Sequence, residues 1–95
     1  YNLGSGVEKR TIDIARFILK EMGKDQDKYL KYVKDRPGHD FRYSLDSSKV
    51  MSLGWHPEVS FEEGMRKTIQ WYENNPRWWK PLKKRVEEQT KGYWN

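Results

Sequence analysis

The 95 residues predict a small α/β lobe, mostly helical, with two or three short strands. Three observations lead there. Apolar side chains recur at helical spacing in four stretches punctuated by glycine or proline. Short runs at residues 1–3, 32–33 and 41–45 lack that spacing and read as extended chain. Strands this few cannot make an independent parallel sheet, because parallel pairs need crossover connections and cover on both faces. The lobe therefore expects strand neighbours that these residues do not supply. A self-contained helical domain with a vestigial sheet is the alternative.

The elements follow in order. Residues 1–3 form a strand ended by Gly4-Ser5-Gly6. Thr11 caps a helix whose first turn carries Asp13, and Ile12, Ala15, Ile18, Leu19 and Met22 make its apolar stripe until Gly23 stops it. The polar connection KDQDK leads to the run centred on Tyr32 and Val33, then to the hexapeptide DRPGHD at residues 35–40. Residues 41–45 alternate as an extended segment. Asp46 caps a short helix with Val50, Met51 and Leu53, closed by Gly54. Ser60 and Glu63 make a capping box that launches Phe61, Met65, Ile69 and Tyr72 at helical spacing, until Asn74-Asn75-Pro76 ends that helix. A last helix starts near Arg77 and presents Trp78 or Trp79 with Leu82 and Val86; Pro81 fits comfortably only in its first turn.

Composition limits what the chain can do. A single domain of this length should bury somewhat under two thirds of its unfolded surface, enough for a modest core. Hydrophobic and charged residues each make up 35%, so five tryptophans must supply much of the core volume. With no cysteine there is no disulfide framework and no thiolate chemistry. No run is long enough for a membrane span or a signal-peptide core. The opening YNLG, entered without an initiator methionine, is what a segment cut from a longer polypeptide looks like. The net charge is +5, densest in residues 77–95, where six basic residues face Glu87 and Glu88. A nucleic-acid binder usually adds a readable motif to such charge, and a solvated helix face accounts for this tail more simply.

No complete active site is visible. A dinucleotide turn needs G-x-G-x-x-G between a strand and a helix, and Gly4-Ser5-Gly6-Val7-Glu8-Lys9 stops halfway. His39 and His56 are far apart and lack metal-ligand spacing. The hexapeptide is different. Pro37 fixes its own φ and keeps Arg36 out of the α region, while Gly38 permits a left-handed turn, so Arg36 and His39 are aimed before any ligand arrives. Arg36 can grip two phosphate oxygens as a fork, and His39 adds a donor near neutral pH. That pair suits a diphosphate, with Arg42 adding positive field and Asp35 and Asp40 capping the turn or orienting the cations. The competing reading pairs Arg36 with one of those aspartates on the surface and leaves His39 as a turn residue.

The run Tyr32-Val33-Lys34-Asp35-Arg36-Pro37-Gly38-His39-Asp40-Phe41-Arg42-Tyr43 resembles the substrate-side signature of the dTDP-glucose 4,6-dehydratases, enzymes of the extended short-chain dehydrogenase/reductase class. The likeness continues through YNLGSG, Thr11-Ile12-Asp13, Leu45-Asp46, Lys49, Leu53-Gly54-Trp55 with Pro57, Phe61-Glu62-Glu63-Gly64 and Trp71-Tyr72. It implies that residues 1–95 are the C-terminal substrate-binding part of such an enzyme, with the NAD-binding Rossmann domain elsewhere in the polypeptide. It also implies the reaction: bound NAD takes hydride from C4 of dTDP-glucose, water leaves across C5 and C6, and the hydride returns at C6. Arg36 and His39 would then hold the nucleotide diphosphate. Thr11 stands where the family usually has an asparagine associated with nucleotide or phosphate contact, and a hydroxyl cannot reproduce the amide's two-ended pattern. The resemblance further implies a cytoplasmic, homodimeric parent that uses neither nucleic acid nor a membrane as partner, with the present 95 residues inactive alone. A related epimerase or decarboxylase and a small basic interaction module are the alternatives.

Overall fold

Caps and apolar spacing place most of the helices where they form. The structure, a computed structural model, describes residues 1–91. Its order is α1 (Thr11–Glu21), α2 (Gln26–Tyr29), α3 (Ser48–Met51), α4 (Phe61–Asn74) and α5 (Pro76–Gln89). Gly23, at φ +67°, closes α1: its N–H bonds to the Lys20 carbonyl and that of Lys24 to the Leu19 carbonyl, so two helix-end acceptors are satisfied. The start of α1 departs from expectation. Thr11 is its first helical residue rather than its cap, and Arg10 precedes it without a side-chain capping bond. Arg10 instead reaches one turn on to Asp13.

Ser60 caps α4 as expected, its hydroxyl accepting from the Glu63 N–H at 3.2 Å. The cap of α3 is shared. Ser47 occupies the capping position, while the Asp46 carboxylate takes the Ser48 N–H at 3.0 Å. The polar connection KDQDK holds all but Tyr29 of α2, a single turn missed by apolar periodicity because its start is set by the Asp25 carboxylate accepting from the Asp27 N–H. Asn75 both ends α4 and begins α5. Its side-chain amide donates to the Trp71 carbonyl at 2.8 Å, and the Trp79 indole N–H donates to the Tyr72 carbonyl at 2.7 Å. Pro76 takes the first position of α5, which puts Pro81 in the second turn, beyond where proline is comfortable.

The expected strands are absent among the described residues. Residues 1–3, 32–33 and 41–45 are irregular chain, with Tyr32, Phe41 and Tyr43 at 83%, 98% and 72% exposure. A strand exists through its partner's N–H and C=O groups, and no ladder joins these runs to one another.

The modest core is absent too. Among the described residues no hydrophobic side chain is fully buried, and Ser47 is the one buried residue. The apolar faces meet only in part. Phe17 of α1 packs edge-on against Phe61 of α4 with ring centroids 5.5 Å apart, and Arg66 lies over Phe17 while pairing with Glu21 at 3.2 Å. Trp71 and Tyr72 of α4 meet Trp78 and Trp79 across the α4–α5 corner. The accessible surface is 8900 Å², whereas a compact protein of 11.5 kDa exposes about 5,800 Å². The radius of gyration is 16.4 Å, against about 12.4 Å for a compact chain of this length.

Candidate functional site

The hexapeptide folds as its residue types dictate. The His39 N–H donates to the Arg36 carbonyl at 3.3 Å, closing a four-residue turn with Pro37 second and Gly38 third at φ +70°. That is the pattern of a type II turn, which needs positive φ at the third position. Arg36 and His39 therefore stand at the two ends of one turn. Among the described residues Arg36 makes no ion pair with either neighbouring aspartate. Asp35 instead faces His39, with its Oδ1 3.4 Å from the imidazole Nδ1. With Asp35 89% exposed and no hydrogen bond formed, this is a solvent-screened contact, and the turn itself sets where the imidazole stands. The side chains of Arg36 and His39 are both open to solvent, with that of His39 37% exposed.

Thr11 is also exposed, at the first position of α1. No hydrogen bond among the described residues joins it to the turn. At the start of α1, Arg10 is engaged by Asp13. Arg10 Nε and Nη2 grip its two carboxylate oxygens at 2.7 and 3.1 Å, which raises Arg10 and lowers Asp13.

A cleft of about 450 Å³ opens after the turn, between residues 4–8 on one side and residues 42–45 on the other. Arg42 and Glu8 contribute charge to it, and Gly4 and Gly6 leave its floor to backbone. Ser47, which no sequence pattern singles out, ties Gly4 of the first wall to the chain two residues past the second. Its hydroxyl accepts from the Gly4 N–H at 2.8 Å and donates to the Gly4 carbonyl at 3.4 Å. A second, more apolar hollow lies against the same loop, lined by Val7, Pro57, Val59, Phe61 and Met65.

These residues do not fit a dinucleotide cofactor. Gly4-Ser5-Gly6 leaves no strand, and α1 begins only at Thr11 with Arg10 and Asp13 occupied with each other at its start. Among the described residues no cluster of three histidine or acidic side chains could hold a metal, and no helix is long and apolar enough to cross a membrane. The basic residues of α5 are interleaved with acids, as in the Lys83–Glu87 pair at 3.6 Å. Residues 92–95, the end of the basic tail, lie outside the described residues.

No family model matches the chain. Individual proteins do. It is 46% identical over 84 residues to a dTDP-glucose 4,6-dehydratase of Streptomyces niveus, covering 87% of this chain and 25% of that protein. The Escherichia coli enzyme of the same name is 43% identical over 90 residues, at 83% and 25% coverage. An Arabidopsis thaliana protein named as a trifunctional UDP-glucose 4,6-dehydratase, 3,5-epimerase and reductase is 48% identical over 79 residues, covering 83% of this chain and 12% of that protein. The fold agrees with these likenesses. The crystal structure of a dTDP-glucose 4,6-dehydratase from Bacillus anthracis in complex with NAD superimposes with a TM-score of 0.76 and 41% identity over 86% of this chain and 26% of that one. The chain thus spans about a quarter of the length of the bacterial dehydratases it matches, and over most of its own length it is their homologue.

Proposed function

We infer that this homologue of one quarter of the dTDP-glucose 4,6-dehydratases is the C-terminal, substrate-binding portion of such an enzyme, a cytoplasmic NAD-dependent lyase of the extended short-chain dehydrogenase/reductase class. The observation that carries the reading is the 36–39 turn, standing in a chain 46% identical to a protein of that name. The turn presents a fork-shaped cation and an oriented imidazole to solvent, and a sugar nucleotide offers two phosphates for them. NAD and the groups that move hydride and water belong to the rest of the polypeptide, in keeping with the poor fit of Gly4-Ser5-Gly6 and the start of α1 to a dinucleotide among the described residues. Binding energy at the diphosphate is remote from the reacting carbons, and it serves to hold the sugar ring in place against the nicotinamide. Arg36 therefore supports turnover as well as affinity. Thr11, at the start of α1, is a secondary nucleotide contact, a single hydroxyl where the family resemblance implies an amide.

The test is Arg36→Ala in the full-length polypeptide. Losing a charge-assisted, two-ended grip costs about 1.5–3 kcal/mol, so the Michaelis constant for dTDP-glucose should rise by roughly one to two orders of magnitude while NAD binding is unchanged. Unaltered substrate kinetics would refute the assignment. The identity to a plant protein named for UDP-glucose favours one second reading, in which the base is uracil. Competition between dTDP and UDP for the same enzyme separates the two.

A further inference from the structure

We propose that Ser47 is a positioning residue, whose hydroxyl holds the 4–8 loop against the 42–45 run and so sets the width of the substrate cleft beyond the Arg36–His39 turn. The inference rests on the diphosphate reading of that turn and extends it to a residue outside any recognisable motif.

Three observations support it. Ser47 is the one buried residue among those described, in a chain whose large side chains are all at least partly open. A buried hydroxyl must be satisfied, and this one is satisfied entirely by Gly4, 43 positions away, through a short bond from the Gly4 N–H and a longer one to its carbonyl. Gly4 belongs to one wall of the cleft, residues 4–8, which precede α1 and Thr11, and Ser47 lies two residues past the other wall, residues 42–45, which Phe41 separates from the end of the hexapeptide at Asp40. No backbone ladder ties these segments together among the described residues, so the hydroxyl is the described polar link between Gly4 of one wall and the chain just past the other.

Crowding does not explain the contact. A Cβ built on Gly4 would sit 3.5 Å from both Leu45 Cβ and Ser47 Oγ, which is ordinary van der Waals distance. The wall spacing is thus held by hydrogen bonds rather than by a glycine-only approach. Without the hydroxyl the Gly4 N–H loses its partner and the loop is free to move relative to Arg42. That displacement would change how the cleft receives a ligand anchored at Arg36.

The experiment uses the full-length polypeptide with Ser47→Ala, Ser47→Thr and Arg36→Ala. Amide exchange at Gly4 is read by NMR, and kcat and KM for dTDP-glucose are measured separately. Ser47→Ala should speed Gly4 exchange about tenfold and raise KM about fivefold to tenfold, with kcat within about twofold. Ser47→Thr keeps the hydroxyl and should restore both. If Gly4 exchange rises but KM does not, Ser47 is structural only and the proposal is overturned. Unchanged exchange in Ser47→Ala overturns it as well. Arg36→Ala separates the two layers: a raised KM there with an unaffected Ser47→Ala KM sinks the Ser47 role alone, whereas an unaffected KM in both sinks the diphosphate reading with it.

Discussion

Taken alone, the 95-residue chain should unfold with weak cooperativity, and its surface area says by how much. An unfolded chain of 11.5 kDa exposes about 16,700 Å² and a compact one about 5,800 Å². With 8900 Å² left accessible in the fold, folding hides about 7,800 Å², roughly 70% of what a compact domain of this mass hides. The urea m-value scales with that change, so it should fall about 30% short of the value for a compact protein of equal length. With no fully buried hydrophobic side chain among the described residues, the helices have little to hold them to one another beyond the Phe17–Phe61 and tryptophan contacts. Far-UV circular dichroism and tryptophan emission should accordingly trace different midpoints in one urea titration, because α1 and the α4–α5 corner need not melt together. Coincident, steep transitions with the m-value of a compact domain would refute the reasoning. The same chain inside the full-length polypeptide should show one sharp transition.

Two further outcomes follow from single residues. Pro81→Ala restores a donor to the second turn of α5 opposite the Arg77 carbonyl, and should stabilise that helix by about 1–2 kcal/mol, read as a roughly tenfold slowing of amide exchange along α5; unchanged exchange would contradict it. Asp13, held below its ordinary value of 3.8 mainly by the hydrogen bonds from Arg10, favours the fold above that pH, and its contribution disappears as pH falls through the depressed folded value. A carboxyl NMR titration of the chain and of Arg10→Ala checks this, with the Asp13 midpoint moving upward in the variant.

Local rules were legible in the sequence, and rules that require a partner were not. The Ser60–Glu63 cap, the Gly23 stop and the type II turn at Pro37-Gly38 each depend on four to six consecutive residues, and each forms as those residues specify. Strands at residues 1–3 and 41–45 depend on a neighbour, so their extended character could be read while their pairing could not. The tryptophans misled for the same reason. Five large rings suggest a core, yet Trp71 and Trp78 remain 41% and 61% exposed because nothing among the described residues covers them. The turn that carries Arg36 and His39 was visible because proline and glycine announce it. Ser47 was not, since its partner Gly4 lies at the far end of the chain and serine next to serine reads only as a helix start.

The turn at residues 36–39 closes on itself: its one backbone bond runs from His39 to Arg36, and Pro37 and Gly38 supply the conformations that bond requires. Its geometry is therefore portable. A four-residue unit that carries its own spacing between guanidinium and imidazole can be moved to another loop, or kept while the residues around it diverge, without that spacing having to be rebuilt.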